Sequence, residues 1–366
     1  TLSQFAANHN ATEASSWEDC IKYGVKDATM RVTSVNAIKL RFSSGDDSPL
    51  FFFGQRDPPK CKHVGKVSDI SEWLCRQECD KSLISDKWIL NHVRWIVWKL
   101  AAMERRFPIQ LGGHYLTYSH VLSQIKGRYE KELRAAKRPA LRKVLNRDVS
   151  ACMPIVLCVS QILRFKIKQH LEGGNGSGKS ENNEEVRLEL SDGWYAVSAL
   201  LDSVLTSLIN GGKIRVGSKL MICNAQLVGS DDGVDPLDEN YFSDRLNCPL
   251  FLKISSNNTR LASWDAKLGF VHPKLTVNQG GGILVKSLCD IFPDGGNIPA
   301  IDLVICKRYP QMFLEQVKNI GTQIIATNHL TEAEEAARQN DHDMSQQRTS
   351  ERYADNACRE CSEVRS

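Results

Sequence analysis

No apolar run in the 366 residues approaches the length of a membrane span, and no charged-then-apolar leader opens the chain. Neither a membrane protein nor a secretory precursor is indicated, and the start at Thr1 rather than Met reads as that of an internal fragment. Strong charge of one sign is lacking too. The 47 Lys/Arg and 43 Asp/Glu leave a net +4, so any nucleic acid or acidic partner has to be met by a local patch. Aromatic residues make up 7%, a thin supply for base stacking. Internal repeats are missing, which excludes solenoids and propellers.

Twelve cysteines are present but do not form a framework. Several stand singly in apolar runs such as "IVLCV" and "LMICN", where a reduced thiol packs as a small hydrophobe. Only Cys75/Cys79 and Cys358/Cys361 are closely spaced, and neither pair has the second half that a four-ligand zinc site needs. No metal and no cofactor is expected, and the usage fits a reducing nuclear or cytoplasmic compartment.

Along the chain, residues 1–150 read as a mostly helical domain, with the helical period running from about 68 to 148. Ser68 and Ser85 stand at N-cap positions, and Pro108 and Pro139 punctuate helical segments. From Pro154 the grammar changes to short alternating runs separated by Gly, Asn and Asp, which predicts a β-rich domain over 151–325. Residues 326–366 are polar, with little to bury, and read as a solvated helix or a disordered tail. The fold class is α+β in two domains.

"GGNGSGKS" at 173–180 spells a phosphate loop. Such a loop works only between a buried strand and a helix whose N-terminal N–H groups face the phosphates. Here Leu163, Phe165 and Ile167 alternate with Arg164, Lys166 and Lys168 before it, and Val186, Leu188 and Leu190 alternate after it. Strand grammar on both sides predicts a long hairpin loop, not a nucleotide site built on Lys179. The same alternation places Arg164, Lys166 and Lys168 on an outer, basic strand face.

Further on, Ser191-Asp192-Gly193 predicts a tight turn into "WYAVSAL", with Trp194 and Tyr195 packing on the sheet. A short helix follows, and then a strand entered through Val216-Gly217-x-Lys219-Leu220; "LFLKISSNN" and "AIDLVICKRYP" read as further strands. About five alternating strands with long connections suit a small barrel, of oligonucleotide-binding (OB) or SH3-like type. An OB barrel grips single strands with basic and aromatic side chains, and the candidates are Lys213, Arg215, Lys219, Lys253, Arg260 and Trp264.

The helix from Trp88 to Glu104 has two faces. Ile89, Val93, Ile96, Val97 and Leu100 form a core arc. The opposite arc carries Trp88, Asn91, His92, Arg94, Trp95, Trp98 and Lys99. Three tryptophans on a polar arc imply a second contact, with another part of the chain or with a partner. His92 has no acid–base companion in view, and no enzymatic activity is expected. Residues 126–147 hold nine Lys/Arg against two Glu, among them Lys131, Arg134 and Arg138, which suits either an acidic partner or an ordinary solvated face.

The segments "NHVRWIVWKLAAMERRFP", "RDVSACMPIVLCVSQIL", "SDGWYAVSA" and "PDGGNIPAIDLVICKRYP", with "KYGV" at 22–25, resemble the helical domain and first OB fold of the breast cancer type 2 susceptibility protein family, in order over roughly 20–315. The resemblance implies a non-enzymatic nuclear scaffold for homologous recombination. It implies weak single-stranded DNA binding, a small acidic disordered protein partner cradled by both domains, and a variable linker where "GGNGSGKS" falls. Partner-binding candidates are then Trp88, Arg94, Trp95, Trp98, Lys99, Lys131, Arg134, Arg138, Arg164, Lys166 and Lys168. Recombinase contact would run through parts of the family not seen in this sequence. Ile155, Val159, Leu163 and Phe165 have the spacing of a nuclear-export signal, which a barrel strand would bury. Two other readings stand beside this one: an autonomous OB-type single-strand-binding module with no acidic partner, and a nucleotide hydrolase using Lys179.

Overall fold

The computed structural model describes residues 16–45, 47–51, 63–166, 184–238, 250–271, 285–301, 303–318 and 325–363. The chain divides into two compact units, Thr1–Asp302 and Leu303–Ser366.

The first unit begins with α1 (Trp17–Lys22), whose N-terminus is closed reciprocally. The Ser16 hydroxyl accepts from the Asp19 N–H, and the Asp19 carboxylate accepts from the Ser16 N–H. After α2 (Asp27–Met30), a small antiparallel sheet sets β1 (Leu40–Ser43) between β2 (Pro49–Phe51) and β3 (His63–Val64). The helical body is α3 (Val67–Arg76), α4 (Asp86–Arg106), the short α5 (Pro108–Leu111) and α6 (Tyr118–Tyr129), whereas α7 (Ala140–Leu145) packs Leu141 and Leu145 into the core of the sheet that follows. Ser85 caps α4 as expected, its hydroxyl accepting from the Trp88 N–H. Ser68 does not cap α3. That helix starts two residues earlier than a Ser68 cap would set, and the Asp69 carboxylate takes the Gly65 and Lys66 N–H groups instead. The core arc of α4 is buried against Ile70, Leu74, Val121, Leu122 and Ile125.

The OB-fold barrel comprises β4 (Ile155–Lys166), β5 (Glu184–Ser191), β6 (Ala196–Leu200), β7 (Lys219–Ile222), β8 (Gln226–Val228), β9 (Phe251–Lys253), β10 (Thr259–Ala262) and β11 (Gly269–Phe270), with α8 (Ser203–Asn210) between β6 and β7. The strand path is β10-β7-β4-β5-β6-β9-β8, with β11 on the other part of β4. Because β9 and β10 are joined by residues 254–258 alone, the two arms of the path curl toward each other. β6 and β9 run parallel, and the other pairs in this sheet are antiparallel. Gly217, at φ +92°, makes the backward step into β7 that a side chain would strain. β4 and β5 pair as a hairpin through Lys166↔Glu184, so strand leads to strand around the phosphate-loop lookalike. Residues 167–183, including Lys168 and Lys179, lie outside the described residues.

One expectation fails inside β4. Ile155, Leu157 and Val159 are buried in the barrel, which covers half of the export-like spacing. Between Val159 and Gln161 the register slips by one residue in a β-bulge. Beyond it Ile162 pairs with Leu188 and Arg164 with Val186, both core residues, whereas Leu163 pairs with Arg187. A one-residue slip exchanges the faces of everything downstream. Leu163 and Phe165 therefore take the outer face assigned from sequence to the basic residues, and Arg164 reaches water at the strand's end on the inner parity. Lys166 keeps the strand, but its side chain is outside the described ones.

The strand expected over "AIDLVICKRYP" shrinks to β13 (Ala300–Ile301), parallel to β12 (Val285–Lys286). In the second unit, residues 303–311 have no regular structure, and Val304 is 88% exposed. A hairpin of β14 (Met312–Lys318) and β15 (Ile325–Thr331) leads into α9 (Glu332–Glu363), a long helix whose described side chains are almost all exposed.

Candidate functional site

Within the first unit the helical body and the barrel meet over a buried polar network. α6 ends in a π-helical turn, Glu130–Arg134, which carries Glu132 into the junction. An extra residue in one turn redirects a side chain that a regular helix would aim elsewhere. The Glu132 carboxylate accepts four hydrogen bonds: from Trp88 Nε1 (3.1 Å), His92 Nε2 (3.1 Å), Arg142 Nη1 (2.8 Å) and the Tyr195 hydroxyl (2.7 Å). Desolvation would raise its pKa, yet the bonds from His92, Tyr195 and Arg142 hold it down at about 2. It is a carboxylate.

His92 is fully enclosed. Arg128 Nη1 stands 2.9 Å from His92 Nδ1, and a guanidinium has only hydrogens to offer. Nδ1 must accept, so the imidazole is neutral with its proton on Nε2, directed at Glu132. Burial agrees, lowering the imidazole to about 4. Arg128 spans the junction, donating also to the Gly193 carbonyl (2.8 Å) and lying 4.7 Å over the Trp194 ring. Desolvation lowers it to about 10, which leaves it cationic at neutral pH. On the barrel side Asp192 accepts from the N–H groups of Leu141, Trp194 and Tyr195, fixing the turn that presents these groups. The turn is the one expected at 191–193, and Gly193 takes φ +83° within it.

A second cluster lies along the same junction. Arg94 Nη2 bridges both oxygens of Glu189 on β5 (2.8 and 3.0 Å), Nε donates to the Ser34 carbonyl, and the Ser160 hydroxyl donates to Glu189 Oε2 (2.7 Å). Asn91 Nδ2 donates to the Trp194 carbonyl (2.8 Å), while its Oδ1 accepts from Trp95 Nε1 (3.1 Å).

These contacts correct part of the expected partner surface. Trp88 and Trp95, each 1% exposed, are not surface residues. The second contact demanded by the polar arc is the chain's own barrel and π-turn. Arg94 is committed to Glu189. Trp98 is half-buried, edge-on to Trp95 at 5.9 Å. Lys99, Lys131, Arg134 and Arg138 are exposed; Arg134 pairs with Glu130 and Arg138 with Asp148. Glu132 is not singled out by the sequence, where it is one of two carboxylates, with Glu130, in a run of nine basic residues.

The expected nucleic-acid residues sit on several parts of the barrel. Lys213 and Arg215 are exposed in the turn before β7, and Lys219 is half-buried, donating to the Ala266 carbonyl (2.7 Å). Arg260 sits beside Met221 on the β7–β10 pair, while Lys253 is exposed on β9. Trp264 rests on Phe107 of the helical body, ring centroids 5.4 Å apart. On the outer side of the second strand, however, the Arg187 guanidinium lies 5.0 Å from the Phe165 ring and 4.8 Å from the Phe251 ring, held by Glu185 at 2.6 and 3.0 Å.

Comparison with known proteins agrees with this architecture. Residues 58–136 match the family described as BRCA2, helical, and residues 139–272 match BRCA2, oligonucleotide/oligosaccharide-binding, domain 1. Two Arabidopsis thaliana proteins are similar: Protein BREAST CANCER SUSCEPTIBILITY 2 homolog B, 35% identical over 296 residues, and homolog A, 34% identical over 293 residues. Each match covers 80% of this chain and 23% of the relative's length. A helical body locked onto an OB barrel, with each part matching the same family in order, means that the chain belongs to the BRCA2 family.

Proposed function

We propose that this chain works as a non-enzymatic scaffold in double-strand break repair by homologous recombination, in the nucleus, binding a small acidic disordered protein and, weakly, single-stranded DNA. The observation that carries the reading is the junction around Glu132, which joins a helical body and an OB barrel into one platform. A platform of fixed geometry suits a protein that holds partners in register. The one buried histidine on α4 is neutral and shut away from water, unsuited to moving protons for a substrate. Recombinase contact would belong to parts of the longer relatives outside the matched stretch.

Exposed Lys99 and Lys131 remain for an acidic partner. Burial of Trp88 and Trp95 removes two of its aromatic anchors, which favours the second reading, an autonomous single-strand-binding module. A pull-down separates the two. An acidic polypeptide should co-purify with the chain and be weakened by Lys99→Glu/Lys131→Glu; indifference of the chain to acidic peptides would leave the module reading. Equilibrium ATP binding that is measurable, and lost in Lys179→Ala, would revive a nucleotide site.

A further inference from the structure

Cys75 and Cys79 are free thiols that bracket the end of α3. Glu78 takes φ +61°, a left-handed step, and its N–H donates to the Cys75 carbonyl (3.1 Å). The Cys79 N–H donates to the Leu74 carbonyl (3.1 Å). Together these bonds make a Schellman closure, which folds the chain back on the helix's last turn and sets residue 79 beside residues 74 and 75. The two thiols meet different surroundings. Cys75 is exposed, whereas Cys79 is 6% exposed among the core residues of the helical body. Burial raises the Cys79 thiol above its ordinary pKa, and the ionisable groups that act on it are Glu130, Lys126, Cys75 and Arg134. The same segment is tied to α6. Lys126 Nζ donates to Gln77 Oε1 (3.1 Å), and the Asp80 N–H donates to the Tyr129 hydroxyl (2.8 Å). Tyr129 ends α6, and the next residue opens the π-helical turn that carries Glu132.

We infer that Cys75 and Cys79 form a reversible disulfide, a thiol-redox site whose oxidation is felt at the π-helical turn. In a reducing compartment such a pair stays as thiols until the glutathione pool is oxidised. Exposed Cys75 reacts first. Its thiolate attacks one sulfur of oxidised glutathione, an S–S bond forms, and one glutathione thiolate leaves. The Cys79 sulfur then attacks the Cys75 sulfur, and the second glutathione leaves. The two cysteine protons pass to the two leaving thiolates, so two thiols are oxidised and one disulfide is reduced. Closing the bond turns the Cys79 side chain out of the core toward Cys75. Gln77 and Asp80, on either side of it, carry the shift to Lys126 and Tyr129.

The test is peptide mapping of the full 366-residue chain after treatment with oxidised glutathione in native buffer and alkylation of the remaining thiols. Arg76 separates the two cysteines, so trypsin leaves them on peptides 67–76 and 77–81, joined through the disulfide alone. The joined pair should replace the two free peptides, and dithiothreitol should restore them. Cys79→Ser should stop at Cys75 carrying one glutathione. Wild-type Cys75 that holds glutathione without closing onto Cys79, or two thiols still reduced when the glutathione is wholly oxidised, overturns the site. Amide hydrogen exchange over residues 126–134 should run severalfold faster in the oxidised chain and return to its original rate on reduction. A joined pair with unchanged exchange overturns the relay to the π-helical turn.

Discussion

The Tyr195 hydroxyl donates to Glu132 Oε1 at 2.7 Å, tying the barrel's third-strand entry to a helical turn 63 residues earlier. Through that bond and that of Arg142, whose helix packs on the barrel core, the Glu132 carboxylate is shared with the barrel, while Trp88 and His92 hold it from within the helical body.

Glu132→Ala should therefore destabilise the first unit by about 3–5 kcal/mol, because Arg142 and Trp88 lose a buried acceptor. Urea unfolding followed separately by tryptophan fluorescence and far-ultraviolet dichroism should show both domains shifting together. A variant in which the barrel alone shifted would contradict a shared junction.

Acid should loosen the same site. His92 has its folded pKa depressed from 6.5 to about 4, so between those values the unfolded chain binds the extra proton. Stability is complete above about 6.5 and falls as pH drops toward 4, by ~3 kcal/mol from this group. Glu132, held at about 2, adds its own loss below its ordinary 4.5. Urea midpoints from pH 7.5 to 4.5 should trace the decline, and His92→Gln should flatten it above pH 5.

Arg94 and Glu189 should behave as a coupled pair across the junction. A double-mutant cycle with alanine at each is expected to return about 1–3 kcal/mol of interaction, since both side chains are nearly enclosed. Additive effects would mean that the ion pair contributes nothing net.

The bulge gives opposite outcomes at adjacent positions. Ile162→Lys places a charge against the barrel core and should cost ~2 kcal/mol or more, while Leu163→Lys should cost under ~1. Equal costs would refute the shift in parity.

Much of this architecture is written locally. The core arc of α4, its Ser85 cap, the Ser191–Gly193 turn and the β4–β5 hairpin follow from periodicity and turn chemistry, and long ordered motifs carry the family. The parts that were not legible depend on contacts distant in sequence. Nothing in "IVLCVSQILRFK" announces a bulge after Val159, so strict alternation assigned Arg164 and Leu163 to the wrong sides. Trp88 and Trp95 were rightly placed on a polar arc, but its cover, a π-turn and a barrel turn, comes from residues 40 to 100 positions later. Nor does the apolar character of "LVIC" make a strand where no described residue pairs with it.

The junction also has a consequence in time. Arg128 finds its carbonyl partner on Gly193, 65 residues downstream. At synthesis rates of roughly 5–20 residues per second, the helical body leaves the ribosome about 3–13 seconds before that partner exists. During that interval His92 and Arg128, whose neighbours Gly193, Trp194 and Tyr195 are still unmade, face water and other proteins, so the nascent helical body passes through a stage with its junction face uncovered.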